Sequence, residues 1–190
     1  ELPGHSPRAL KGLALGYAVG TRGASHQDMR PTPERSGAYD ARTTEGKALL
    51  NVRVQNCTAL GDSLIWCRYL EPVVGFFVGR WHREVLRAVT GLDLSEEQLE
   101  DVGSRVINLE HWFNVREGWT SAEDRLPPRV EEPIPEGPSS GKRVTASEIE
   151  QMKAEYYHLR GWGEDGFPLP ETIRALGLQA FVGVEGQVRS

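Results

Sequence analysis

The sequence predicts a mainly α fold, a multihelical domain with long irregular loops and a Pro-rich strap. Apolar residues recur at steps of three and four in several segments, which is the spacing of an amphipathic helix. No alternating strand pattern of convincing length occurs, and glycine and proline cluster between the helical segments. A chain of 190 residues can bury a hydrophobic core without disulfides or structural metals.

Composition excludes several classes of protein. With 27 acidic against 22 basic residues and a net charge of −5, the chain is not a dedicated nucleic-acid binder. No apolar run approaches the roughly 20 residues that span a bilayer, and no signal-peptide pattern is visible. Two cysteines do not make a disulfide framework. We therefore expect a cytoplasmic protein with no membrane or nucleic-acid partner, and the start at Glu1 favours a piece of a longer protein.

The first half of the chain alternates helical patterns with loop composition. Pro7 after Ser6 is a helix start signal, whereas Gly, Ser, Pro and Arg dominate the stretch that follows the first helix. Gly61-Asp62-Ser63 reads as a breaker followed by N-cap residues, and one kinked helix or two separate helices both fit the pattern there. The predicted elements are a helix at 7–19, a loop at 20–44, a helix at 45–56 and a second apolar patch at 60–70.

The second half contains the clearest helix signals. Ser95 followed by Glu96 and Glu97 offers a cap with acids in the first turn, and Gly91 closes the helix before it. Five prolines between 122 and 144 predict an extended strap across the surface. The predicted elements are helices at 76–90, 95–115, 145–159 and 170–176, and a short strand or disordered tail at 180–190. The strap divides the chain into candidate lobes 1–121 and 145–190 of one 1–190 domain.

Cys67 is the first residue that could carry chemistry. It follows Asp62-Ser63-Leu64-Ile65-Trp66, in which Asp62 is expected to be an N-cap acceptor. Two readings are open, because free cysteine packs as a small hydrophobe but its thiolate also binds metals and clusters. Cys57, ten residues earlier, carries no mark of a partner ligand.

The loop after the first helix is the second candidate. Arg22-Gly23-Ala24-Ser25-His26 could bring backbone amides and a guanidinium to an anion, with His26 as proton donor or acceptor. The other reading is an exposed turn with a solvated histidine. We interpret the remaining histidines as structural residues on helix surfaces or at the terminus: His5, His82, His111 and His158.

Taken in order, these segments resemble the C-terminal portion of the tungsten-containing aldehyde:ferredoxin oxidoreductases. No single stretch is specific, but their order along nearly the whole chain is. The matching stretches are 12–18, 22–26, 62–64 with Cys67, 105–109, 113–118, 124–129, 156–162 with Gly166, and 176–178.

The resemblance implies a tungsten bis-pterin cofactor and a 4Fe-4S cluster, both shared with upstream domains or a subunit of the same enzyme. It assigns Cys67 as the fourth cluster ligand, because the family's other three cysteines lie in a CxxCxxxC motif that this chain lacks. It also assigns Asp62 and Arg22 to the pterin cofactor and His26 to catalytic proton transfer. Ile65-Trp66 stands where the family motif has Gly-Leu.

The implied activity is oxidation of small aldehydes to carboxylic acids, with ferredoxin as electron acceptor. Relatives in the wider family act on aromatic acyl thioesters instead. The 190-residue chain would be inactive alone, and oligomers would form through the full-length protein. The alternative is a cofactor-free helical interaction domain derived from the same family, with Ile65-Trp66 as the trace of that loss.

Overall fold

A computed structural model describes residues 5–182, and the mainly α prediction is confirmed. Within that stretch the backbone forms no strand, and a single isolated bridge joins Trp162 to Pro168. No helix in it is long and apolar enough to cross a membrane. The helices are α1 (Lys11–Ala18), α2 (Thr32–Arg35), α3 (Lys47–Ser63), α4 (Glu71–Val74), α5 (Arg80–Thr90), α6 (Glu96–Arg116), α7 (Ala146–Arg160), α8 (Pro170–Ala175) and α9 (Gln179–Val182).

The predicted helix at 7–19 is interrupted at Leu10. A 3₁₀ turn covers Pro7–Ala9, Leu10 is extended with φ −136° and ψ 93°, and α1 starts only at Lys11. The first turn of α1 has no cap from its own sequence. Instead the carboxylate of Glu34, in α2, accepts hydrogen bonds of 2.9 Å from the backbone N–H groups of Gly12 and Leu13.

Of the two arrangements left open at Gly61-Asp62-Ser63, two separate helices is wrong, because α3 continues through these residues to Ser63. Asp62 therefore lies in the last turn of a helix and is not an N-cap. Packing against α1, α6 and α7 stabilises α3 along its length and outweighs the weak local preference of Gly61. Gly61 also leaves space for the indole of Trp66, since a Cβ there would lie 2.4 Å from Trp66 Nε1.

The helix signals of the second half are confirmed, except that the helix predicted at 76–90 begins only at Arg80. Ser95 and Gln98 form a capping box at the start of α6, and Gly91, with φ 78°, ends α5. Thr145 and Glu148 form a second capping box at the start of α7.

The strap at 122–144 is irregular, with a 3₁₀ turn at Pro128–Glu131, and it contributes Val130 and Val144 to the main core. That core joins α1, α3 and α7, so residues from both ends of the chain share it. The division into lobes 1–121 and 145–190 stays a prediction. Helix α9 occupies the start of the predicted strand or tail at 180–190, whose residues 183–190 lie outside the described part.

A buried polar network ties α7 to α3. Arg160 is 3% exposed, and its guanidinium donates to Asn56 Oδ1 at 2.6 Å and to Gln55 Oε1 at 2.7 Å. The hydroxyl of Tyr156 donates to the same Gln55 oxygen at 2.6 Å. These bonds satisfy a buried cation without a carboxylate partner.

Candidate functional site

The Arg22 loop, residues 22–26, meets the end of α3 through charged side chains. Arg22 Nε donates to Asp28 Oδ1 at 2.8 Å, and its Nη2 lies 4.0 Å from Asp62 Oδ2. Arg68 Nη2 lies 2.5 Å from the same Asp62 oxygen. Asp62 thus sits between two guanidinium groups, one from the loop at 20–44 and one from the residue after Cys67.

Beyond Arg68, two further ion pairs extend the network toward the protein interior. Arg68 pairs with Glu71 at 3.0 Å, and Glu71 lies 2.7 Å from Arg30 Nε in an ion pair that is not aligned as a hydrogen bond. Glu71 is 5% exposed, whereas the side chain of Arg22 is 53% exposed, so the network runs from the core to the surface. We call this set the arginine cluster: Arg22, Arg30 and Arg68 with Asp28, Asp62 and Glu71.

His26 is connected to the arginine cluster through Gln27. Arg30 Nη1 donates to Gln27 Oε1 at 2.6 Å, which directs the Gln27 amide N–H toward His26 Nε2 at 2.9 Å. Nε2 is therefore the acceptor, and the ring proton resides on Nδ1. Partial burial, together with the neighbouring His5 and Arg30, lowers the pKa of His26, so its ring is neutral at neutral pH.

Cys67 is exposed, so the interpretation of this residue as an inert buried thiol is wrong. The buried thiol is that of Cys57, whose pKa burial raises to about 12. Cys67 has extended backbone (φ −71°, ψ 131°) and precedes the 3₁₀ turn Arg68–Leu70. The structure thus places Cys67 next to the arginine cluster with its side chain open to solvent.

The turn before Cys67 has an unusual backbone. Ile65 has φ 57°, and it is the one non-glycine residue with positive φ among residues 5–182. The N–H groups of Ile65 and Trp66 donate to Asp62 O at 3.0 Å and Gly61 O at 3.2 Å, which are the two bonds of a Schellman motif. Glycine normally occupies this position, and a β-branched residue is strained there. The departure from Gly-Leu to Ile-Trp therefore falls on the position with the strongest preference for glycine.

A cleft of about 580 Å³ lies on the other side of the Arg22 loop, between α1, the end of α6 and the strap. Asp124, in its wall, is 6% exposed and accepts hydrogen bonds from Tyr157 Oη at 2.7 Å and Trp119 Nε1 at 3.2 Å. Burial raises the pKa of Asp124 to about 6. The strap thus supplies a carboxyl group that titrates close to neutral pH.

The structure brings Arg22, Asp62 and the Cys67 turn to one surface. His26 does not contact these residues and is connected to the arginine cluster only by way of the Gln27 side chain. Sequence reasoning missed Arg68, Arg30 and Glu71. Adjacency to Cys67 could have indicated Arg68, but no local signal marks Arg30 or Glu71. In the described residues no group of three or more His, Cys, Asp or Glu side chains is arranged to hold a metal ion. Cys67 is the one exposed cysteine in this part of the chain.

Several known proteins are similar to this chain. A family model described as aldehyde ferredoxin oxidoreductase, domains 2 and 3, matches residues 1–178. Tungsten-containing aldehyde ferredoxin oxidoreductases of Pyrococcus abyssi and Pyrococcus furiosus are 35% and 34% identical to it, over 96% and 95% of this chain. An aliphatic sulfonate oxidoreductase, WOR-like subunit, of Pyrococcus furiosus is 26% identical over 86% of the chain.

The chain spans 30% of the length of the two aldehyde ferredoxin oxidoreductases. Among solved structures, the active site complex BamBC of benzoyl coenzyme A reductase, in complex with 1,5-dienoyl-CoA, matches 80% of this chain. The match has a TM-score of 0.59 at 20% identity and covers 23% of that chain, so it supports the fold alone. From the extent of the family match and the identity to the curated relatives, the chain belongs to the aldehyde ferredoxin oxidoreductase family, in the region of domains 2 and 3.

Proposed function

We propose that this chain is the C-terminal part of a tungstopterin and iron-sulfur oxidoreductase that oxidises aldehydes to carboxylic acids. In this role it supplies one cysteine to a 4Fe-4S cluster and contacts to a tungsten bis-pterin cofactor, both shared with domains or a subunit upstream. The observation that carries the proposal is the Arg22–Asp62–Arg68 chain of ion pairs. It joins two segments 40 residues apart at the surface that also exposes Cys67.

The cysteines of this chain can supply one of the four thiolate ligands of a 4Fe-4S cluster. A 4Fe-4S cluster needs four thiolates, and a ligating thiolate must be reachable. Of the two cysteines, Cys67 is exposed and Cys57 is buried with a pKa raised to about 12, so Cys57 stays protonated. The other three thiolates must come from another segment or chain.

The arginine cluster pairs three arginines with three carboxylates, and its exposed members Arg22 and Asp62 can bind polar groups of a cofactor. Arg22 and Arg68 flank Asp62, whose side chain is 51% exposed, so their guanidinium groups face the same surface as its carboxylate. Guanidinium groups bind oxyanions bidentately, and a carboxylate accepts hydrogen bonds from a ring N–H or amino group. Asp62 and Arg22 would thus hold opposite kinds of polar group on a pterin.

The cofactors, when bound, supply two-electron oxidation and the release of single electrons to ferredoxin. The contribution of this chain to the reaction is proton transfer at His26. Its ring is neutral and carries its proton on Nδ1, so Nε2 can accept a proton released as an aldehyde becomes a carboxylic acid once the Gln27 amide moves away from it. Ferredoxin, a small aldehyde, oligomers of the full-length protein and a cytoplasmic location belong to the same proposal.

Metal analysis of the complete protein, purified without oxygen, tests the proposal. We expect Cys67→Ala to lower the iron content, whereas Cys57→Ala, which removes the buried thiol, leaves iron bound. Asp62→Asn and Arg22→Gln should lower the tungsten content, compared with Arg42→Gln at an exposed ion pair outside the arginine cluster. An unchanged iron content in Cys67→Ala would remove the ligand assignment.

The strained Ile65 favours one alternative, a helical interaction domain without cofactor. In that case the strained turn and its exposed neighbours serve a protein contact, since Ile65 and Tyr69 are each 91% exposed. The same preparation decides between the two functions. A complete protein that binds neither iron nor tungsten, in cells supplied with both metals, would support the interaction domain.

A further inference from the structure

The indole of Trp66 packs between α3 and α5. Its indole lies against Gly61 of α3, where a Cβ would come within 2.4 Å of Nε1. On the other side it contacts the imidazole of His82 in α5, with 4.8 Å between ring centroids and 53° between planes. Trp66 is thus half-buried between the exposed residues Ile65 and Cys67.

His82 is held rigidly in the core. It is 0% exposed, and its Nδ1 accepts a hydrogen bond from the Gly79 N–H at 3.3 Å. The ring proton therefore lies on Nε2, which is 3.2 Å from Cys57 Sγ and donates to the sulfur. Cys57 Sγ in turn lies 4.0 Å from the carbonyl oxygen of Gly75. The imidazole that supports Trp66 is consequently fixed at both nitrogens.

The Cys67 turn needs such an anchor because its own backbone is strained. Ile65 adopts φ 57° although its side chain is 91% exposed and gains little from packing. A non-glycine residue in this region persists only where its surroundings impose it. Of the three residues from Ile65 to Cys67, Trp66 alone is not fully exposed to solvent. The anchor of the turn is therefore the indole of Trp66, and its support is His82.

We propose that Trp66 and His82 are positioning residues that fix the location of the Cys67 sulfur. Trp66 packs at a tilt against the buried imidazole, keeps Ile65 in its left-handed conformation and holds Cys67 outward beside Arg68. The value of this arrangement for a cluster rests on the function proposed above, but the anchoring of the turn does not.

Hydrogen exchange tests the anchor without any cofactor. In the complete protein, Trp66→Leu keeps an apolar side chain but removes the aromatic ring that contacts His82. We expect the amides of Ile65 and Trp66 to exchange about tenfold faster in this variant, while amides of α6 keep their rates. Trp66→Phe should restore protection, and Trp81→Leu, at a 53% exposed tryptophan next to His82, is the matched control. Equal exchange at these two amides in Trp66→Leu and Trp81→Leu would overturn the anchor.

Electron paramagnetic resonance of the reduced holo-protein tests the consequence for the cluster. We expect Trp66→Leu and His82→Gln to change the cluster signal and its midpoint potential at unchanged iron content, and Trp66→Phe to keep both. If the spectra of Trp66→Leu are unchanged while Cys67→Ala loses iron, the positioning role is refuted and the ligand assignment stands. Iron retained in Cys67→Ala refutes the proposed ligand, and the exchange experiment then still decides whether Trp66 anchors the turn.

Discussion

Glu34 and Lys47 form an ion pair whose side chains are 0% and 1% exposed, with 3.7 Å between Oε1 and Nζ. Lys47 also donates to the carbonyl oxygen of Asp40 at 2.6 Å, and the Glu34 carboxylate caps the start of α1. This buried ion pair and its hydrogen bonds therefore connect the loop at 20–44 to both α1 and α3.

Removal of the Glu34 carboxylate is expected to be among the most destabilising single changes in this region. Glu34→Ala leaves the Lys47 ammonium and two amides buried without their partner, at a cost of about 3–5 kcal/mol in the free energy of unfolding. Glu34→Gln keeps one acceptor oxygen and should fall between Ala and wild type. Urea unfolding gives these values, with Glu45→Gln at an exposed position as the control. A loss no larger than that of the control would contradict the role assigned to the pair.

Ile65→Gly is expected to stabilise the protein. Glycine adopts φ 57° without the clash that a β-branched residue suffers, so the free energy of unfolding should rise by about 1 kcal/mol. For a chain of this size, this corresponds to an increase of about 2–4 °C in Tm. Val73→Gly is the control, since Val73 is 72% exposed within α4 and its loss should lower Tm. A lower Tm in Ile65→Gly would show that the isoleucine side chain contributes more than its conformation costs.

Gly103→Ala is expected to separate α3 from α6. A Cβ at this position would lie 2.3 Å from the backbone oxygen of Asn56, and no side-chain rotation can relieve a contact with backbone. We expect a loss of about 2–3 kcal/mol in the free energy of unfolding. Thermal unfolding measured beside Ser104→Ala, one residue further along α6, separates this effect from a general loss in the helix. Equal Tm values for the two variants would contradict it.

His111 and Asp124 have opposite pKa shifts and share contact with Trp119. The imidazole of His111 stacks on Trp162 at 3.7 Å and lies edge-on to Trp119 at 4.4 Å, and burial lowers its pKa to about 4. Burial raises the pKa of Asp124, which accepts from Trp119 Nε1, to about 6. The prediction that His111 and His82 lie on helix surfaces is wrong, because they are 3% and 0% exposed.

The two shifts should nearly cancel in the pH dependence of stability. Between about pH 6.5 and 4 the unfolded chain takes up a proton at His111 that the folded protein does not, so stability falls with falling pH. Between about pH 3.8 and 6 the folded protein holds a proton on Asp124 that the unfolded chain lacks, so stability falls with rising pH.

Substitution of either residue should therefore reveal the slope of the other. Asp124→Asn should give a free energy of unfolding that rises by up to about 1.4 kcal/mol per pH unit between pH 4 and 6. His111→Gln should give the opposite slope. Urea titrations across this range measure both, with Asp101→Asn, at an exposed site on α6, expected to follow wild type. Parallel curves for all four proteins would contradict the assignment.

Local chemistry explains which elements were predictable. Ser95 and Thr145 carry their cap signals in sequence, so the starts of α6 and α7 could be predicted to within one residue. Gly61-Asp62-Ser63 carries an equally local signal that fails, because the burial of α3 outweighs it. Cys67 and Asp62 were identified from a family resemblance, whereas Glu71 and Glu34 act through contacts with distant residues that no spacing reveals.

The central position of α3 has a consequence for synthesis. Its contacts are with α1, which is made before it, and with α6 and α7, which are made after it. Helix α3 ends at Ser63 and α7 ends at Arg160. A ribosome adding about 5–20 residues per second therefore needs about 5–20 s after it completes α3 to supply α6 and α7. Until Leu99 is made, Leu60 lacks part of the apolar cluster that covers it in the folded protein. A nascent chain that ends between α3 and α7 therefore exposes apolar side chains of α3 that the folded protein buries.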